Sequence, residues 1–393
     1  VSGLRAQRPV QSGTEHGRSA ARGVMVAVAS VVVAVGTVTG TVSALDDGHP
    51  AKGAQPLVTH ASALGPPSDV PTPSHGSAAP SPSGRATPKP VPDPSPTVRR
   101  SRTAAAPALL YRHFDSQVRD WLDAHPGDAR RAVIESRIAD RPAAVWFADF
   151  TPATVTARVR AVTSAAAARG RVPVLVPYTI PQRDCDGASE GGAPDLAAYD
   201  GWIDGFAAGL GSGEVVVVLE PDSVAQSDCL TEGGRADRFA SLARAGRVLK
   251  AANPRARVYY DAGNSDWNPA AAQAALLRRA GAASPASSDG VFTNVSNFNR
   301  TSDEIAYARR VLSALGGPAG LGAVIDTSRN GNGAAPGGAW CDPPGRRIGP
   351  APTLNTGEEG IDAYLWVKPP GESDGCRGTP GTFSADYAYE LAG

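Results

Sequence analysis

Hydrophobic positions along this chain gather into short solid runs separated by longer amphipathic stretches, an alternation that begins only after residue 140. The runs are "AAVWFA" from 143, "VPVLVPY" from 172, "EVVVVLE" from 214, "ARVYYDA" from 256, "GVFTNVS" from 290, "LGAVIDT" from 321 and "DAYLWV" from 362. Runs of this length, rich in β-branched and aromatic residues, read as strands. Several are apolar at every position rather than every second one, which predicts burial on both faces. Between them, "TPATVTARVRAVTSAAAARG", "LAAYDGWIDGFAAGL", "GRADRFASLARAGRVLKAA", "NPAAAQAALLRRAGAA" and "TSDEIAYARRVLSALGG" carry apolar residues at spacings of three and four. Most end near glycine, as amphipathic helices do. The predicted fold class is therefore α/β: a distorted, TIM-like (β/α) barrel with about seven parallel strands.

The polar residues collect directly after the strands: Asp149, Arg183 with Asp184, Glu220 with Asp222, Asp261, Asn294 with Asn297, Asp326 with Arg329, and Lys368. In a β/α barrel that rim is where loops converge on one opening. The plainer alternative is an ordinary α/β protein with solvated loop charges, which requires a coincidence at every strand. Cys185 and Cys229 lie just beyond the second and third strands, which are neighbours if sequential strands pair. This predicts a Cys185–Cys229 disulfide and leaves Cys341 for Cys376.

Before residue 107 the composition changes. Residues 1–23 are polar and carry Arg5, Arg8, Arg18 and Arg22; Val24 to Val42 are almost free of polar side chains, and Val42-Ser43-Ala44 offers small residues for cleavage. Residues 1–44 read as a secretory signal peptide, an uncleaved membrane anchor being the alternative. Residues 45–106, as in "PSPSGRATPKPVPDPSPT", hold too few large apolar groups to offset their conformational entropy and read as a disordered linker. Residues 107–393 remain as one folded domain. Export and an even set of four cysteines fit disulfides formed outside the cell. The expectation is a secreted monomer without stable membrane association after cleavage.

Charge and histidine content narrow the chemistry. Thirty-eight basic and 38 acidic residues give zero net charge, and no basic run lies in the folded part, so nucleic acid is not an expected partner. All six histidines precede residue 126, away from every polar cluster, which argues against a Ser-His-Asp triad or a histidine-ligated zinc. No metal or organic cofactor is expected, and carboxylates are left as acids and bases.

A rim of acids and aromatics suits hydrolysis of an uncharged polymer, above all a polysaccharide, whose rings pack on tryptophan and whose hydroxyls bond to Asp, Asn, Arg and Lys. Trp146, Trp267 and Trp340 fall at or after strand ends, while Trp121, Trp202 and Trp366 sit inside helix or strand patterns and are expected in the core. Glycoside hydrolysis with inversion needs an acid and a base about 6.5–9.5 Å apart, retention about 5–5.5 Å. The candidates are Asp184, Asp222, Asp261, Asp326, Glu372 and Asp374.

Together "YTIPQRDCDGASEGG", "LEPDSVAQSDC", "VYYDAG", "NVSNFN", "IDTSRNGNG", "WCDPPGRRIG" and "DAYLWVKPPGESDG" resemble glycoside hydrolase family 6, the inverting β-1,4-glucanases, over residues 108–393. The resemblance implies that Asp222 is the general acid and that Asp184 raises its pKa and stabilises the transition state. It implies Asp374 as the catalytic base, with Arg329 as its pairing arginine. Tyr178 matches the tyrosine near the distorted sugar ring and Ser189 a serine on a mobile loop that helps to position water. Asp261 matches an aspartate assigned to substrate binding and support of the acid. Trp146, Trp267, Trp340, Lys368 and Glu372 match sugar-binding positions, and Asn264 and Asn297 line the same expected cleft. Glu220 is expected to be a buried partner rather than the acid, and Asp326 either a strand-end cap or a site residue.

The chain departs from the family at Asn264, where "DAGH" is usual, and at Thr179 and Asp186. Asparagine still hydrogen-bonds but does not titrate. The short stretches between Cys341 and Cys376 and from Asp184 to Trp202 favour an open cleft, hence endo action on a β-1,4-glucan such as cellulose. A cellobiohydrolase and a non-catalytic glucan-binding protein are the two alternatives. Asn294 and Asn299 match the glycosylation pattern but lie at a strand end, and no glycan is expected there.

Overall fold

The valines of "EVVVVLE" are all but inaccessible: Val215 to Leu219 form a strand in which every residue is at most 1% exposed. Val215, Val217 and Leu219 face the surrounding helices while Val216 and Val218 face the barrel interior. A strand buried on both faces has no position left for a polar residue.

The computed structural model describes residues 109–393; the expected signal peptide and linker lie outside the described residues. All seven predicted strands form: β1 Val145–Phe147, β2 Val174–Pro177, β3 Val215–Leu219, β4 Ala256–Asp261, β5 Gly290–Thr293, β6 Gly322–Asp326 and β7 Ile361–Leu365. They pair in chain order, all parallel, in a single curled sheet. The edges β1 and β7 form no ladder. They meet where Ala144 N–H donates to Trp366 C=O at 2.9 Å and the Trp146 indole donates to Val367 C=O at 2.7 Å. The result is an incompletely closed barrel of seven strands.

Eight α-helices accompany the strands in the described residues: α1 Gln117–Ala124, α2 Arg131–Ile134, α3 Val155–Ala167, α4 Leu196–Ala208, α5 Glu232–Ala252, α6 Ala270–Arg279, α7 Thr301–Leu315 and α8 Ala385–Ala392. The predicted ones, α3 to α7, follow β1 to β5 and pack on the sheet through Val159, Phe206, Leu242, Leu277 and Val311. Local chemistry sets their ends: Asp195 caps α4 by accepting from Ala198 N–H at 2.7 Å, Thr231 caps α5, and α7 stops at left-handed Gly316.

The hydrophobic pattern does not mark α1, α2 with the π-turn Glu135–Ala139 that continues it, or α8. These elements are short and pool their few apolar residues, Leu122, Ile134, Ile138, Ala388 and Ala392, in a separate small cluster where Trp121 also packs. A cluster built from both ends of the domain leaves no local period to find. A short parallel pair, Leu109–Leu110 with Arg171–Val172, was also missed.

Both disulfides form as expected, Cys185–Cys229 and Cys341–Cys376, with Cα atoms 5.9 and 5.7 Å apart. The first joins the loops after β2 and β3, and the second joins the loops after β6 and β7.

Candidate active site

A cleft of about 1400 Å³ runs over the rim. Along it lie Trp146, Tyr178, Asp184, Ser189 and Asp222 from the loops after β1 to β3, and Asn264, Trp267, Asn297, Trp340, Lys368, Glu372 and Asp374 from the later ones. Of the fourteen predicted catalytic and substrate-binding residues, only Asp261 and Arg329 are not in its lining.

The chain leaving β3 turns through two left-handed residues, Glu220 (φ 48°) and Asp222 (φ 69°), on either side of Pro221. Non-glycine residues adopt this conformation at a cost, so the surroundings must hold it. Two buried carboxylates do so. Glu220 accepts from Thr179 and Ile180 N–H, both at 3.0 Å, and so ties the β3 exit to the β2 exit. Asp261, at the end of β4, accepts from Val224 N–H at 3.2 Å, Ala225 N–H at 2.8 Å and Gly263 N–H at 2.9 Å.

The expectation of a sugar contact at Asp261 is thereby corrected: it is 1% exposed, its Oδ2 is spent on the backbone just beyond Asp222 and its Oδ1 on Gly263 N–H in its own turn. Asp326 is likewise buried, accepting from Ser328, Lys368, Val367 and Ser296 N–H, and is the strand-end cap of the two options for it. Burial pushes the Glu220 carboxyl up to about 7.

Asp222 is half-buried at the cleft floor. Burial first, then the charges of Asp261 and Asp184, push its carboxyl well above the ordinary aspartate range. Asp184 stands in a left-handed turn (φ 57°) and accepts from Ser189 N–H at 2.8 Å and Ser189 Oγ at 2.9 Å. Ser189 Oγ lies 3.1 Å from the Tyr178 hydroxyl, and Tyr178 packs edge-on to Trp146 with centroids 5.2 Å apart.

Arg183 straps this loop: it donates to Ala148 C=O at 2.7 Å, to Ser189 C=O at 2.8 Å and to Tyr178 C=O, with its guanidinium over the Tyr178 ring. Gly192 closes the loop against Ile180, where a Cβ would sit 2.1 Å from the carbonyl oxygen. In the sequence Arg183 is legible only as a rim charge.

Asp374 belongs to the other wall. Arg329 donates to its Oδ2 at 2.7 Å and Lys368 Nζ lies 3.3 Å from its Oδ1. Arg329 is itself fully buried, stacked 4.4 Å over Phe298 and donating to the Tyr387 hydroxyl at 3.2 Å and to Ser296 C=O. It therefore reaches Asp374 from behind, as the arginine that pairs with it, and does not itself line the cleft.

Asp342 was missed. From a left-handed turn it collects Ser373 Oγ at 2.6 Å, Asp374 N–H at 2.8 Å, Arg377 N–H at 3.0 Å and Cys376 N–H at 3.1 Å, and so shapes the loop that carries Asp374. Its place next to Cys341 was the available signal. Gln117 was also missed; from α1 it donates to Glu372 Oε1 at 3.0 Å. Burial raises the Glu372 carboxyl to about 7, opposed by Lys368 and by Gln117.

The tryptophans divide as expected except Trp121, which is half-buried against the small cluster of α1, α2 and α8 rather than in the core. Trp267 and Trp340 are 38% and 56% exposed along the cleft, whereas Trp202 and Trp366 are core residues. Asn294 and Asn299 are buried with their amide nitrogens in hydrogen bonds, leaving a glycan no exit.

Carboxyls of opposed character on two walls of a tryptophan-lined cleft, at the rim of a parallel β/α barrel, define a polysaccharide-hydrolysing class of enzyme. The chain belongs to glycosyl hydrolases family 6, whose sequence profile matches residues 106–390. It is 54% identical over 292 residues to Endoglucanase 1 of Streptomyces sp. (strain KSM-9), covering 74% of this chain and 80% of that one. It is 50% identical over 278 residues to Endoglucanase A of Thermobispora bispora, covering 70% of this chain and 60% of that longer protein. Among solved structures it is similar to the endoglucanase Cel6 from Mycobacterium tuberculosis in complex with a methyl-cellobiosyl-4-deoxy-4-thio-β-D-cellobioside. That match has 40% identity and a TM-score of 0.67, and covers 73% of this chain and 97% of that chain.

Proposed function

We propose that the protein is an endo-β-1,4-glucanase that hydrolyses internal β-1,4-glucosidic bonds of cellulose with inversion. The observation that carries this is the contrast between Asp222, whose carboxyl is pushed well above the aspartate range by burial and by the charges of Asp261 and Asp184, and Asp374, ion-paired to Arg329 and Lys368. Asp222 protonates the glycosidic oxygen as the bond to the anomeric carbon breaks. Asp374 takes a proton from the water that attacks the opposite face. Asp184 keeps the Asp222 proton in place by its charge and, through Ser189, orders the loop where water is positioned.

Tyr178 and Trp146 shape the pocket for the ring that distorts, and Trp267 and Trp340 offer flat apolar faces to neighbouring sugars. Lys368, Glu372, Asn264 and Asn297 supply hydrogen bonds to hydroxyls. The exposure of Trp340 and Trp267 supports an open cleft that accepts a chain along its length rather than by its end. The proposal extends to secretion, supported by the apolar stretch Val24 to Val42 and by two disulfides.

A time course on carboxymethylcellulose tests endo action. An early steep fall in viscosity with little reducing sugar is expected. Slow viscosity loss with cellobiose as the main product from cellulose would assign a cellobiohydrolase, and tight binding with no sugar released would assign a non-catalytic binder.

A further inference from the structure

Behind the cleft wall lies a buried carboxylate that the mechanism does not use. Glu304, in the first turn of α7, is fully buried, and no cation pairs with it among the described residues. Its Oε1 accepts from Ser265 N–H at 2.8 Å and from Asn299 Nδ2 at 3.2 Å. Asn299 Nδ2 also lies 3.1 Å from Asn264 Oδ1 and 3.1 Å from Ser265 Oγ. Asn264 Oδ1 further accepts from Asp266 N–H at 3.0 Å. Glu304 thus grips the turn around Asn264 twice, by the backbone of Ser265 and by the side chain of Asn299.

The consequence falls on the amide of Asn264, a cleft residue 7% exposed. Its oxygen already accepts two hydrogen bonds, the capacity of a carbonyl. Its nitrogen donates to no group among the described residues, which leaves Nδ2 free to donate to a ligand. Burying a carboxylate without a cation costs stability, and burial does raise this one. What the cost secures is one orientation of a short side chain at the cleft surface.

We infer that Glu304 is a positioning residue for the substrate: through Asn299 and Ser265 it holds Asn264 with Nδ2–H turned to the cleft, as a neutral donor to an oxygen of the bound glucan. This deepens the glucanase reading and rests on it. The contact is made equally before and during bond cleavage, so its loss acts on KM rather than kcat.

Steady-state kinetics on cellohexaose, with thermal melts of each variant, test this. Glu304→Ala is expected to raise KM about 10-fold with kcat within about threefold, the effect of one lost hydrogen bond. Glu304→Gln keeps an oxygen for Ser265 N–H and Asn299 Nδ2 and stays within about twofold of the parent. Asn264→Ala raises KM like Glu304→Ala, and the double variant raises it no further, because the two residues act through one contact.

A melting temperature that falls with KM unchanged, or a double variant whose KM multiplies the two single effects, overturns the inference. Should Glu304→Ala fail to fold, Asn299→Ser serves in its place. It removes the bridging amide while the backbone bonds of residue 299, from its N–H to Asn294 Oδ1 and from Asn330 Nδ2 to its C=O, remain available. An unmodified enzyme inactive on cellohexaose and carboxymethylcellulose sinks the glucanase reading itself; an active one with independent effects sinks only the role of Glu304.

Discussion

Asp222→Asn lowers kcat on cellulose by about 10²–10⁴-fold while cello-oligosaccharide binding stays near the parent value. That range is the contribution of a positioned general acid, and asparagine keeps the shape but has no proton to give. A cellobioside with an activated leaving group, which needs little protonation, should lose far less rate. An unchanged kcat on cellulose would remove Asp222 from the mechanism.

The same carboxyl sets a pH dependence whose sign is fixed. Activity requires Asp222 protonated, so rate is lost as pH rises through its elevated pKa. Asp184→Asn removes one of the charges holding that proton and moves this basic limb to lower pH, whatever it does to the maximal rate.

Stability follows from linkage. The folded protein binds the Asp222 proton more tightly than the unfolded chain does, so stability falls as pH rises from the ordinary aspartate range through the elevated value. Glu220, raised to about 7, acts in the same direction. Asp222→Asn should therefore melt at a higher temperature than the parent at pH 8, the gain in stability accompanying the loss of function.

The second large effect lies at Arg329. Arg329→Met leaves Asp374 without its 2.7 Å partner and Tyr387 and Ser296 without their donor. Breaking a buried pair from one side costs about 3–5 kcal/mol. At about 2–4 °C per kcal/mol for large domains, the melting temperature should drop by roughly 6–20 °C. Activity should fall as well below the melting temperature, because Asp374 loses its orientation. Arg329→Lys should not restore it: one ammonium on a flexible stem does not reproduce a planar fork that reaches Asp374, Tyr387 and Ser296 together. Calorimetry and initial rates on the same preparations separate the two losses, and a variant that keeps both stability and rate contradicts this role.

Strands and helices α3 to α7 were legible because each is a local pattern, a solid apolar run or a period near 3.6. The division of labour among the acids was less so. Asp222, Asp261 and Asp326 all stand at or just after strand ends and look alike in sequence, yet one faces the cleft and two bind backbone N–H groups of the adjoining loops. The difference is made by the turn through Glu220 and Asp222, a backbone conformation that no side-chain pattern announces. Arg329 was attached to the right carboxylate by resemblance, but its approach from the buried side follows from its packing on Phe298. The Gln117 to Glu372 bond spans 255 positions and leaves no mark in the sequence near either residue.

Proton NMR of the anomeric signals during the first turnovers on cellohexaose bears most directly on the assignment of Asp222 as acid and Asp374 as the group that activates water. Attack on the face opposite the departing oxygen requires that the new reducing ends appear first as the α-anomer and convert to the β-anomer only by mutarotation. The β-anomer appearing first would mean that a carboxylate bonds the sugar directly, and would contradict the roles given to both residues.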